Sequence, residues 1–160
     1  MNSTADITAQ VVSILERAKI AIQAKMDEKN INASGRTSAS LRVETYDGGV
    51  RLVIGGNGQK TAPLATLEVG RKGGKVPQGF AAIIEQWSRD KGLVFATESK
   101  LRSFAYLTAR KIAREGTLRN KQNVDVYSSI VAETAKGVTT ELYPYYAKLV
   151  EAAIHGNLNI

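Results

Sequence analysis

Residues 41–54 restrict the fold more than any other stretch. Leu41, Val43 and Thr45 alternate with Arg42, Glu44 and Tyr46, and after Asp47-Gly48-Gly49 the positions Val50, Leu52 and Ile54 alternate with Arg51 and Val53. Period-two patterning on both sides of an Asp-Gly turn predicts an antiparallel hairpin with one buried face. Two strands alone are marginal in water, so the ribbon must lie on a helix or gain strands from elsewhere, a neighbouring subunit included. Its open edges invite such an addition.

Helices surround this ribbon. From Asp6 to about Lys29, Ile7, Val11, Ile14, Leu15, Ala18, Ile22 and Met26 recur at three- and four-residue steps, the signature of an amphipathic helix of about six turns. Its spacing suits either the protein's own sheet or a partner helix. Lys29-Asn30-Ile31-Asn32 ends it, and residues 33–40 form a small-residue connector with little to bury. Pro63 to Gly70 reads as a short helix, with Leu64, Leu67 and Val69 to bury. Phe80, Ile83, Ile84 and Trp87 share a face of a helix over about 78–91, which assigns Trp87 to the core, and Gly92 stops it. Thr97 caps a helix over 98–115 whose stripe is Leu101, Phe104, Ala105, Thr108 and Ile112, while Arg102, Arg110, Lys111 and Arg114 form a basic side. Beyond a cap at Asp125 the chain is mostly helical, with a break expected at Gly137 and a kink or new start near Tyr143 forced by Pro144. Tyr143, Tyr145 and Tyr146 cluster there, either as a last core layer or as a surface covered by a partner. Residues 1–5 and 156–160 are expected to fray.

The loop at 70–77, Gly-Arg-Lys-Gly-Gly-Lys-Val-Pro, holds three glycines, three cations and no carboxylate. It is expected to be mobile, and either solvated or held by a partner. Arg71, Lys72 and Lys75 can reach phosphates without reading bases, so the loop faces either DNA or an acidic protein surface.

Taken in order, the turn ASGRTSASLRVE, the hairpin, the run LEVGRKGGKVP, a Trp-bearing helix ending DKGL and the segment FAYLTARKIAREGT resemble the head-to-tail joining and tail-completion proteins of tailed bacteriophages and prophages. The resemblance spans most of the chain through short motifs. It implies a structural virion protein that forms a ring in the neck, is assembled in the host cytoplasm, and joins portal or connector proteins to tail proteins. Packaged DNA would be a nonspecific contact.

Composition agrees with that expectation. The 160 residues form one domain in this reading, large enough to bury about two-thirds of the unfolded surface. A net charge of +7 favours an anionic partner, and the absence of cysteine removes disulfides, thiolate metal sites and thiol nucleophiles. The polar start and the lack of a long apolar run predict a soluble, unexported protein with no membrane partner. Catalysis has little support. His155 is the sole histidine, Val69 and Val76 occupy positions where a phosphate-binding P-loop needs glycine and Ser or Thr, and Thr61 breaks the dinucleotide-like pattern begun at Gly56-Asn57-Gly58. No enzyme activity, cofactor or metal is therefore expected. The fold expected is α+β, a hairpin-based antiparallel sheet packed on the long N-terminal helix and on the helices at 78–91 and 98–115, with the C-terminal helices outside. A sequence-nonspecific double-stranded DNA-binding accessory protein is the alternative function.

Overall fold

The computed structural model describes residues 4–32, 34–53, 68–117 and 125–157. Among these, five helices and one two-stranded sheet follow in the order α1 (Thr4–Glu28), α2 (Arg36–Ala39), β1 (Arg42–Tyr46), β2 (Gly49–Val53), α3 (Phe80–Asp90), α4 (Glu98–Glu115) and α5 (Ser128–Asn157). The class is mixed but helix-dominated. The helix expected at 63–69 lies outside the described residues, save for Glu68 and Val69, which are helical.

The strands pair as the alternation requires, with Val43 opposite Leu52 and Thr45 opposite Val50, and the positive φ of the turn falls on Gly49. On the opposite face Glu44 accepts from Arg42 Nε at 2.6 Å and from Arg51 at 3.0 Å. These two guanidiniums, Arg42 first, hold its carboxyl below the ordinary range. The apolar side of the ribbon lies on α1, where Ile22, Met26, Leu41 and Val126 form a buried cluster joined by Ile31, Leu52, Tyr127 and Ile130.

The C-terminal end of α1 shows how the sequence sets a boundary. Asn30 adopts φ +50, its N–H donates to Asp27 O, and the Ile31 N–H reaches back to Met26 O, so the chain reverses while Ile31 folds onto the core. The stop of α3 repeats this geometry at Gly92, with bonds from Gly92 to Arg89 O and from Leu93 to Ser88 O.

Two expectations about helix placement are corrected. The sheet packs on α1 alone among the helices with substantial contact, whereas α3 and α4 pack on each other around Ile84, Ala105 and Ala109. Helix α5, expected outside, runs antiparallel along α1. Lys25 Nζ meets Asp125 at 2.6 Å and Ser129 Oγ at 2.7 Å at one end, and Gln10 and Arg17 both meet Glu141 at the other. The two units are clasped by Lys91, whose ammonium donates to Asn30 O, Asn30 Oδ1 and Asn32 O at 2.6–2.9 Å. That places a cation at the negative end of α1.

Three local expectations also change. The connector at 33–40 contains the short helix α2, which still buries no residue. Helix α5 runs through Gly137 and Pro144 without a break. Pro144 removes only the N–H that would bond Thr140 O, and Thr140 is exposed, so water can replace that partner. Trp87, assigned to the core, is 40% exposed. The buried line of α3 is Ile84 and Ser88, one turn apart, and Ser88 is accommodated because its Oγ donates to Ile84 O at 2.8 Å. Ile83 and Trp87 lie about 100° to one side of that line, over the Met26–Ile31 end of α1.

Candidate functional site, a basic loop seated on a helix end

Helix α4 turns a stripe of Leu101, Ala105, Ala109 and Ala113 inward, spaced four residues apart. Small side chains on that stripe let neighbouring backbone come close. Thr97 fixes the start of the helix, its hydroxyl accepting from the Lys100 N–H, and Gly116 fixes its end with φ +76.

The loop at 70–77 lies against this helix end rather than free of it. Gly74 N–H donates to Ala113 O at 2.5 Å, Thr117 N–H to Arg71 O at 2.8 Å, and Arg71 N–H to Thr117 Oγ1 at 2.9 Å. The approach is close enough to dictate two glycines. A Cβ on Gly73 would overlap the carbonyl of Arg114, and one on Gly116 would overlap that of Arg71. The expectation of a loop without packing is thus corrected for its backbone, while the side chains of residues 72–79 remain exposed.

The three predicted loop cations divide into two kinds. Arg71 is half-buried, stacks over the Phe80 ring at 5.1 Å and donates to Lys75 O at 3.4 Å, so it acts as a strut between loop and α3. Lys72 and Lys75 are exposed and form no ion pair among the described residues.

The seat of the loop brings in cations that the loop alone did not reveal. Between the loop and α4 runs a groove of about 530 Å³ lined by Gly74, Val76, Leu107, Arg110, Lys111 and Arg114. Arg110 donates to Tyr106 Oη at 3.1 Å and Arg114 pairs with Glu115 at 2.8 Å, which leaves Lys111, with Lys72 and Lys75, as the third lysine here without an ion pair among the described residues. Arg110, Lys111 and Arg114 were legible as the basic side of a helix, but their meeting with the loop depends on the Gly74–Ala113 backbone bond and on the close approaches at Gly73 and Gly116.

The predicted tyrosines lie elsewhere. Tyr143 and Tyr146, 73% and 54% exposed, share an open depression with Ala147, Val150, Glu151 and Ile154 at the far end of α5, whereas Tyr145 is half-buried. Beyond Leu142 no described side chain of this helix is buried.

Glu68 is a positioning residue that the sequence did not single out. Its carboxylate accepts from the Val126 and Tyr127 N–H groups at 3.4 and 3.1 Å and from Ser128 Oγ, capping α5 together with Asp125, which accepts from the Ser129 N–H. Lys25 and Ser129 hold the Asp125 carboxyl far below its ordinary range. Among the described residues no cluster of His, Asp and Glu could hold a metal ion, and no helix is long and apolar enough to cross a membrane.

The chain shows no match to a protein-family model, to a curated protein or to a solved structure.

Proposed function

We propose that this chain is a subunit of a homo-oligomeric ring in the neck or tail-completion region of a tailed-phage virion, where it joins the portal-bearing head to the tail. The observation that carries the self-association is the balance of its apolar surface. Among the described residues twelve apolar side chains are buried, four of them alanine, against sixteen large hydrophobics that are exposed. The exposed set includes a run at helical spacing on α5, Tyr143, Tyr146, Val150 and Ile154, on a segment that touches nothing else deeply. Among the described residues the hairpin has no further strand on either edge.

Magnitudes favour a closed assembly over an isolated pair. Covering what remains exposed of the four α5 side chains contributes about 4–7 kcal/mol, at the low end of the roughly 4–15 kcal/mol cost of bringing two chains together. One such contact is marginal. A ring gives each subunit two contacts, and a heterologous interface closes when its rotation divides the circle. The resemblance of the LEVGRKGGKVP and FAYLTARKIAREGT segments to neck proteins supplies the virion assignment.

Electron microscopy of the purified protein, alone and mixed with purified portal, tests the proposal. Closed rings of uniform diameter that stack coaxially on the portal are expected. Single subunits that ignore the portal at every concentration would dismiss it.

A further inference from the structure

We propose that the groove between Gly74–Val76 and the 107–114 face of α4 seats the sugar–phosphate backbone of duplex nucleic acid, with Lys72, Lys75 and Lys111 making the contacts and Arg71 holding the loop in place. The site is complete within one subunit, so the inference goes beyond the ring and does not depend on it.

Charge is concentrated here. Residues 70–77 and 98–115 together hold eight cations and two carboxylates, which accounts for most of the chain's net charge of +7. Of the two carboxylates, Glu98 is bound by Arg89 and Glu115 by Arg114. The groove is lined by Arg110, Lys111 and Arg114 together with the exposed Val76 and Leu107, and Lys72 and Lys75 stand on the loop that forms its other wall, with neither carboxylate of these segments left free to compete.

The cations left free are of one kind. Guanidinium forks match carboxylate and phosphate alike, and Arg71, Arg110 and Arg114 are already committed to Phe80, Tyr106 and Glu115. The uncommitted groups are lysines, point charges on flexible stems that tolerate the variable positions of phosphates along any sequence. Residues 107–114 span about 10 Å of helix axis, which matches the rise of about three base pairs. Neither 70–77 nor 98–115 contains asparagine or glutamine, so the surface has no side-chain amide for pairing with adenine. The loop carries no aromatic ring, and the exposed ring beside the groove, Tyr106, already has the Arg110 guanidinium over it at 5.6 Å, which leaves no free face for an unpaired base. These features select a duplex, bound without sequence preference.

Fluorescence anisotropy with labelled duplexes of two unrelated sequences, titrated with salt, tests the site in the full-length protein. Each phosphate contact contributes about 0.9 to the slope of log affinity against log salt. Replacing Lys72, Lys75 and Lys111 together by alanine should therefore flatten the slope by about 2.7 and weaken binding by about tenfold or more at low salt. The thermal midpoint should not change, because none of the three side chains supports the fold. Both duplex sequences should bind alike. Failure of the wild type to bind duplex at low salt, or an unchanged slope in the triple variant, would overturn the assignment. Tighter binding to single strands would do the same, as would displacement by polyglutamate as effective as by unlabelled duplex. Sedimentation of the same samples separates the two proposals: a monomer that binds duplex leaves the groove standing and removes the ring, and a ring that ignores duplex does the reverse.

Discussion

Three glycines beside one helix end should respond differently to the same substitution, because the structure constrains two of them in different ways and the third not at all. At Gly116 an alanine meets two penalties. Its φ of +76 with ψ of −176 lies in a region nearly confined to glycine and costs an L-residue about 1–3 kcal/mol, and its Cβ would overlap Arg71 O while lying 2.9 Å from Gly73 N. Relieving that overlap pushes the loop away and breaks the two bonds between Arg71 and Thr117, each contributing about 1 kcal/mol. Gly116→Ala should therefore destabilise by about 3–5 kcal/mol. Gly73 has no positive φ, so Gly73→Ala carries only the overlap with Arg114 O and the strained Gly74–Ala113 bond, about 1–3 kcal/mol. Around Gly74 there is open space and no left-handed φ, so Gly74→Ala should be neutral or stabilise by up to about 1 kcal/mol. Urea unfolding followed by the sole tryptophan, Trp87, gives the three values. Hydrogen exchange at the Gly74 and Thr117 amides should rise in the first two variants only. Equal costs at all three positions, or a Gly116→Ala protein as stable as wild type, would refute the seating of the loop on α4.

Further outcomes follow from the ends and middle of α5. Glu68→Ala leaves the Val126 and Tyr127 N–H groups without their carboxylate and should cost about 1–2 kcal/mol in the same unfolding assay; no loss would mean that Glu68 does not cap the helix. Asp125 is held below its unfolded pKa by Lys25 and Ser129, so its contribution is present above about pH 4 and is lost as the pH falls below that value. Thermal melts from pH 7 to pH 3 should show a shallower acid-side decline in Asp125→Asn than in wild type, and parallel curves would contradict the pairing. Pro144→Ala restores the N–H that an uninterrupted α5 lacks and should stabilise by about 1–3 kcal/mol; a lowered midpoint would show that the helix is not continuous there.

Where a residue's role is decided by its near neighbours, the sequence carries it. The hairpin register follows from alternation about Asp47-Gly48, α4 begins at the Thr97 cap, and α1 stops at Asn30 because a short polar side chain tolerates the left-handed turn. Roles set by distant backbone were hidden. Trp87 has the composition of a core residue, but α3 turns Ile84 and Ser88 inward, and a serine that bonds its own helix leaves no hydrophobic signal. The stripe expected for α4 leaves out Ala109 and Ala113, which are buried because α3 packs against that line. Glu68 lies 58 residues before the first N–H it caps, beyond any local pattern. Pro144 carries a strong local rule that yields where the orphaned carbonyl faces water. Of the candidate site, Arg71, Lys72 and Lys75 were visible as charge, whereas the division between a strut and two uncommitted lysines depends on the position of the Phe80 ring.

Self-association through uncovered apolar surface is the central claim, and sedimentation velocity across a wide concentration range tests it most directly. Wild-type protein should form one discrete species whose mass is a whole multiple of 17.3 kDa, while Tyr146→Asp with Val150→Asp, on the exposed end of α5, should shift it to smaller species without lowering the secondary-structure content. A single 17.3 kDa species at every concentration, unaffected by those substitutions, would contradict the account.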